Sequence, residues 1–133
     1  MQSNNFSFLR KVLAVDAVSS GAMGLGMLAF APFIAQLLNL PAELIRDAGF
    51  VLLPFAAFVG YVASGAQPSR AGVFVIIALN VVWVVDSVML LFTGWVEPNA
   101  LGYAFVIGQA LVVGVLAELE YIGLKRAPAR AAV

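Results

Sequence analysis

The chain has 133 residues, of which 63% are hydrophobic and only 11% charged, and its formal net charge is zero. A soluble domain carries about 25% charged residues, so this composition excludes an ordinary globular protein and is typical of one surrounded by lipid. The sequence has no cysteine and no histidine, which excludes disulfides and removes the usual ligands of zinc, haem and iron–sulfur centres. We expect no cofactor and no metal site. Without a basic domain, we expect no nucleic acid partner either.

Four long apolar stretches predict four membrane-spanning helices. They cover about residues 12–38, 48–63, 71–92 and 100–122. A span needs about 20 apolar residues, so the second is near the lower limit. The short turns between the spans permit only antiparallel neighbours. The sequence therefore predicts a single all-α transmembrane domain over residues 1–133, an integral membrane four-helix bundle with up-down topology.

The first span also resembles a secretory signal peptide. Basic residues precede an apolar run, and Ala29-Phe30-Ala31 has the small residues of a cleavage site. However, Asp16 interrupts the apolar run and Pro32 directly follows the cut. We therefore expect the first span to be retained.

The basic residues predict the orientation of the bundle. Six of the seven fall on one side of the four spans, and only Arg46 falls on the other. The six are Arg10, Lys11, Arg70, Lys125, Arg126 and Arg130. The positive-inside rule then places both termini and the turn at Gln67–Arg70 in the cytoplasm. Trp95 lies at the opposite interface, where aromatic residues are enriched.

Asp86 is the most unusual residue of the third span. It lies within the run Trp83-Val-Val-Asp86-Ser87-Val-Met, and a carboxylate at the centre of a membrane helix costs roughly 2.5–3.5 kcal/mol. Such a residue has a local partner or a function. The functional interpretation is a proton, cation or substrate site at Asp86, and the structural interpretation is hydrogen bonding that fixes helix packing.

Three further polar residues form a candidate intramembrane site with Asp86. At about 100° per residue, Asn80 and Ser87 lie within about 20° of each other, and Asp86 is on the same broad side. In the fourth span Gln109 is deep enough to be the best candidate partner of Asn80. The candidate charge partner of Asp86 is Arg46, which lies between the first and second spans on the side opposite the other basic residues. If Arg46 does not reach it, we expect Asp86 to be neutral and hydrogen-bonded inside the bundle.

Two other acidic residues lie near the predicted cytoplasmic boundary. Asp16 lies about one helical turn inside this boundary, within reach of Lys11 or Lys125. This position predicts an interfacial ion pair. Glu120 shares a helix face with Gln109 and is expected at the same interface, balanced by nearby basic residues. Small residues around Asp16 predict close packing of the first span.

The first hairpin resembles DoxX-like bacterial membrane proteins, which are small four-helix proteins. The resemblance consists of Leu9-Arg10-Lys11, Gly24-Leu-Gly26, Ala31-Pro32, Leu37-Leu-Asn-Leu-Pro41 and Leu44-Ile-Arg-Asp-Ala-Gly49. It covers about the first 65 residues and implies a four-span bundle in the bacterial inner (plasma) membrane. No functional residue follows from it.

No catalytic constellation occurs in the sequence, so we do not expect an enzyme. Our leading hypothesis is an accessory or scaffold-type membrane protein that binds a partner protein or lipid. The alternative is a small transporter or channel subunit that uses Asp86 as a cation or proton site. One bundle of this size has little interior volume, so a homo-oligomer or a partner membrane protein is expected besides the lipid bilayer.

Overall fold

A computed structural model describes residues 2–127, with side chains from Phe6 onward. This part of the chain is helical apart from its turns. The helices are α1 (Gln2–Ala29), α2 (Ala31–Leu38), α3 (Ala42–Ser64), α4 (Arg70–Phe92) and α5 (Ala100–Arg126). Four of them, all but α2, contain segments long and apolar enough to cross a membrane. The all-α fold class is confirmed, and the chain is a multi-pass helical membrane protein.

The first predicted span consists of two helices. The two helices are separated at Phe30, whose backbone angles (φ −122°, ψ 25°) are not helical, and Pro32 lies in the first turn of α2. Proline lacks the N–H that the interior of a helix uses, so it is best tolerated in the first turn of a helix. Asn39 then ends α2 in the left-handed conformation, with φ of 58°. The α1 helix also starts at Gln2, well before the predicted boundary at Val12.

The bundle is built from two helical hairpins. In the first, α1 packs closely against α3, and in the second α4 packs against α5. Contacts between α1 and α5 join the hairpins, whereas α3 and α4 make few contacts with each other. Gly24 and Gly49 bring α1 and α3 together, because a Cβ at Gly49 would lie 2.9 Å from the Gly24 carbonyl oxygen. Small residues thus permit this close approach.

Two apolar clusters fill the two ends of the bundle. One contains Phe6, Leu9, Leu13, Val73 and Leu124, and it lies at the end that we call the basic end. Arg10 there donates to the Ala63 carbonyl at 3.1 Å, and Arg70 donates to that of Leu124 at 3.3 Å. The predicted grouping of basic residues is therefore present, except that Arg130 lies outside the described residues.

The second cluster lies at the opposite end and includes Met27, Ala31, Ile45 and Val106. Two asparagines bind the turns together at this end. Asn39 Nδ2 donates to the Glu97 carbonyl at 2.6 Å, and Asn99 Nδ2 donates to that of Leu37 at 2.9 Å. The Asn99 side chain also accepts from Gly102 N, capping α5. The polar residues of the spans lie between these two apolar clusters.

Candidate functional site

Three polar side chains from three different helices meet between the apolar clusters. They are Asp16 of α1, Asn80 of α4 and Glu120 of α5, which are 1%, 4% and 0% exposed. Asn80 lies ten residues after Arg70, or about 15 Å along a helix that rises 1.5 Å per residue. We call these three residues the buried triad.

Asn80 connects the two carboxyl groups of the triad. Its Nδ2 donates to Asp16 Oδ2 at 2.9 Å and to Glu120 Oε1 at 3.0 Å. The second Asp16 oxygen, Oδ1, accepts from the Ser20 hydroxyl at 3.0 Å. Glu120 Oε2 is buried and has no hydrogen-bond partner among the described residues. The triad therefore joins α1, α4 and α5 and leaves one acceptor free.

The predicted interfacial ion pairs of Asp16 and Glu120 were wrong. Both side chains are buried and bonded to Asn80 rather than to a lysine. The physical reason is helix length, because α1 begins before Val12 and α5 continues to Arg126. Each acid therefore lies deeper in the bundle than the apolar runs alone indicate.

A second polar network lies further from the basic end. Trp83 Nε1 donates to Gln109 Oε1 at 2.7 Å, and Gln109 Nε2 donates to Ser87 Oγ at 2.9 Å. Ser87 in turn donates to the Trp83 carbonyl at 2.7 Å. The predicted partnership of Gln109 with Asn80 was therefore wrong, since the amide of Gln109 bonds to Trp83 and Ser87. The network joins α4 to α5 only.

A groove of about 580 Å³ opens beside this network. It is lined by all four long helices and lies where α3 and α4 make few contacts. Most of its walls are apolar, including Met23, Met27 and Val51. Ser20, which bonds to Asp16, also lines the groove. The groove therefore extends from the opposite end of the bundle to a neighbour of the buried triad.

Asp86 lines this groove and Arg46 does not. In the described part of the chain, no salt bridge joins these two residues. Of the four residues of the predicted intramembrane site, the structure brings Ser87 and Gln109 into one network and places Asp86 on the groove beside it. Asn80 belongs to the buried triad instead. Among the described charged residues, those that line the groove are Asp86 and Asp47, and both are acidic.

The sequence contains a partial signal for the buried triad. Asp16, Ser19 and Ser20 form a polar stripe, and Glu120 shares a face with Gln109. Neither stripe reveals depth, which depends on where each helix begins.

As for metals, no cluster of three or more acidic side chains suited to an ion occurs within residues 2–127. Comparison with protein families, with characterised proteins and with solved structures finds no match for this chain.

Proposed function

We propose that this membrane protein is a non-enzymatic binding protein, with an accessory role in the membrane, for amphipathic molecules that carry a positive charge. The observation that carries the proposal is the groove between the hairpins. Its volume of about 580 Å³ is within the range of about 300–1,000 Å³ that small-molecule sites occupy.

The composition of the groove walls supports an amphipathic ligand. Ligand sites are mostly apolar with a few polar groups that fix orientation. Here apolar side chains cover most of the surface, and Trp83, Ser87 and Gln109 form the polar patch. The hydrogen bonds within that patch hold its side chains in place before a ligand arrives. Such an arrangement suits a hydrophobic molecule with one polar end.

The charge of the groove supports a cationic ligand. Its charged lining residues in the described chain are Asp47 and Asp86. An uncompensated carboxylate beside apolar walls in a membrane is unfavourable, and a ligand cation relieves this cost. Complementary charge also selects against anionic lipids, because like charges repel. A lipophilic organic cation therefore matches the groove better than an acidic lipid does.

Binding of tetraphenylphosphonium to the protein in zwitterionic lipid nanodiscs tests the proposal. We expect saturable binding to the wild type. Asp86→Asn keeps the size of the side chain and removes its charge, so we expect affinity to fall about tenfold, which corresponds to about 1.4 kcal/mol. Binding is measured by equilibrium dialysis.

The matched control is Glu97→Gln. Glu97 is exposed in the turn before α5 and does not line the groove. Its substitution removes the same charge from the same end of the bundle, and we expect unchanged affinity. Absence of saturable binding to the wild type, or an equal loss in both variants, would contradict the proposal.

A transport role is the second candidate, favoured by the position of Asp86 on the groove. In this case Asp86 binds a cation or proton during passage through the membrane. The two functions differ in flux: a binding protein leaves the uptake of tetraphenylphosphonium into proteoliposomes unchanged, whereas a transporter accelerates it and loses this activity in Asp86→Asn.

The setting that we propose is a bacterial plasma membrane with both termini in the cytoplasm. The resemblance of the first hairpin to DoxX-like proteins supports the bacterial membrane, and the basic residues support the orientation. The groove lies at the seam between α3 and α4, so a second copy or a partner membrane protein beside this seam would enclose the ligand.

A further inference from the structure

The carboxyl group of Glu120 has an unusual environment for an acid. The side chain is 0% exposed, and Oε2 has no hydrogen-bond partner in the described chain. A buried oxygen without a donor loses the hydration that it would have in water and gains nothing in return. This oxygen therefore needs a partner that the described side chains do not supply.

Asp16 lies close to Glu120. One oxygen of each carboxyl group accepts from the same nitrogen, Asn80 Nδ2, at 2.9 Å and 3.0 Å. The two oxygens therefore lie within about 6 Å of each other, close enough for like charges to interact. Two carboxylates this close, both charged and both out of water, would repel each other.

The basic residues of the helices around the triad are engaged elsewhere. Arg10 of α1 bonds to the Ala63 carbonyl, and Arg70 of α4 bonds to that of Leu124. On α5, Lys125 lies 5.5 Å from the ring centre of Tyr121, and Arg126 lies 5.1 Å from that of Phe8. Lys11 of α1 is exposed.

The other titratable groups also lie away from the triad. On α3 the charged residues Glu43, Arg46 and Asp47 occupy the first turns, at the opposite end, and Tyr61 is exposed near the other end. On α5 Glu118 is exposed, and on α4 Asp86 lines the groove. The sequence of α2 contains no charged residue. Of the described titratable groups, Asp16 is thus the one that faces Glu120.

We propose that Asp16 and Glu120 together form a proton-binding site in the membrane, in which one proton is held between the two carboxyl groups and Asn80 fixes their separation. The proton gives one carboxyl group an O–H that donates to the other, so that the pair carries one negative charge instead of two. That remaining charge is stabilised by the donors Asn80 and Ser20. This inference does not depend on the ligand of the groove.

The geometry favours a proton over a metal cation. Hard cations require several oxygens that converge on one point, commonly six or more for Ca²⁺. In the triad the amide nitrogen of Asn80 occupies the position between the two carboxyl groups and directs its hydrogens at both. A cation between the same oxygens would be repelled by these hydrogens. A proton needs only one free oxygen and a nearby acceptor, and Glu120 Oε2 has no donor in the described chain.

Ser20 provides a connection between the proton site and the groove. Its hydroxyl donates to Asp16 Oδ1, and its side chain lines the groove. A hydroxyl both donates and accepts, so it can relay a proton between water in the groove and the Asp16 carboxyl group. On the side of the basic end, the apolar cluster that contains Leu9 and Leu13 packs next to the triad.

Infrared spectroscopy tests the site directly, since the C=O absorption of a protonated carboxyl group is separate from that of a carboxylate. We expect the wild type in nanodiscs at neutral pH to show this absorption. Glu120→Gln and Asp16→Asn should each remove the part of this absorption that corresponds to one protonated carboxyl group. Both variants lose it because the proton is shared between the two side chains. In each variant the new amide donates to the remaining carboxylate and replaces the proton, which preserves the fold.

Glu43→Gln is the control, because Glu43 is exposed in the first turn of α3. We expect the absorption to be unchanged in this variant and in wild-type protein when sodium chloride is replaced by choline chloride. A wild type without the absorption would overturn the proposal, as would its loss in only one of the two triad variants. An absorption that sodium abolishes would show that the site binds a cation instead.

Discussion

Asn80 holds two carboxyl groups with a single amide nitrogen. Interhelical hydrogen bonds in membrane proteins contribute on average only about 0.6 kcal/mol. Bonds to ionised acceptors are roughly twice as strong as neutral ones, and unsatisfied buried groups add a further cost. The two bonds of Asn80 should therefore contribute more than an average pair.

Asn80→Leu tests this contribution. Leucine has a similar size and removes both donors, so Asp16 and Glu120 lose their common partner. We expect the free energy of unfolding to fall by about 2 kcal/mol. The measurement is reversible unfolding in mixed detergent and SDS micelles, followed by circular dichroism.

Gln109→Leu is the comparison variant for Asn80→Leu. Gln109 is part-buried, and its side-chain partners Trp83 and Ser87 are neutral. Its replacement should cost less than about 1 kcal/mol. An equal fall in the free energy of unfolding in the two variants would mean that the Asn80 hydrogen bonds are no stronger for having carboxyl groups as acceptors.

The composition of the candidate site could be predicted from the sequence only in part. The helical wheel places Asn80 and Ser87 on one side of α4, and both do form polar contacts. However, seven residues separate them, or about 10 Å along the helix. They therefore belong to two networks at different depths, with different partners. A wheel describes angle and not depth. The depth of Asp16 and Glu120 can be counted only from the ends of the apolar runs, and this count wrongly predicts that both acids lie at the interface, because α1 and α5 are longer than those runs.

At the scale of the elements, the apolar runs predicted the four long helices but not their ends. Polar residues at Gln2–Lys11 and Glu118–Arg126 continue α1 and α5 beyond the apolar runs. Hydropathy does not predict such extensions, because a helix can continue through polar residues beyond the membrane boundary. The break at Phe30 had a visible signal in Pro32, and it was interpreted only as evidence about cleavage.

Gly102 determines how closely α5 approaches the end of α2. A Cβ at this position would overlap the carbonyl oxygen of Leu38 and lie 2.8 Å from Pro98 Cβ. Neither the backbone oxygen nor the proline ring can move aside easily. Gly102→Ala should therefore separate the two elements and lower the free energy of unfolding by about 1–3 kcal/mol.

Gly108→Ala is the control on the same helix. A Cβ at Gly108 meets no atom within 4 Å, and alanine has a higher helix propensity than glycine. This substitution should leave stability unchanged or raise it by about 0.5–1 kcal/mol. Both variants are measured by thermal unfolding in the same detergent, and a Gly102→Ala protein as stable as Gly108→Ala would contradict the close contact with Leu38.

At the scale of the whole molecule, the groove results from unequal packing between helices. The α1–α3 pair is tight because Gly24 and Gly49 permit it, whereas α3 and α4 scarcely touch. The small residues of the first span predicted that it packs closely, but not that α3 is the helix it packs against. The sequence could not predict the open seam, because polar residues in a span are equally compatible with a closely packed neighbouring helix and with a groove. Asp86 and Ser87 were the signs that this side of α4 differs from a simple lipid-facing surface.

The orientation that we propose for the bundle rests on the charge asymmetry between its two ends. Arg10 and Arg70 lie together at the basic end, bonded to neighbouring backbone. Basic residues in short loops are retained on the cytoplasmic side. The chain contains no cysteine, so single cysteines report the position of each loop without background. We expect Gln67→Cys to be protected from a membrane-impermeant maleimide in intact spheroplasts, and Gly94→Cys to react.

Permeabilised spheroplasts supply the control for this labelling. Gln67→Cys should become reactive once the membrane is opened, because the side chain is exposed in the turn between α3 and α4. Reaction of Gln67→Cys together with protection of Gly94→Cys in intact cells would invert the bundle. In that case the mouth of the groove, beside Thr93 and Trp95, would face the cytoplasm, and its ligand would have to come from inside the cell.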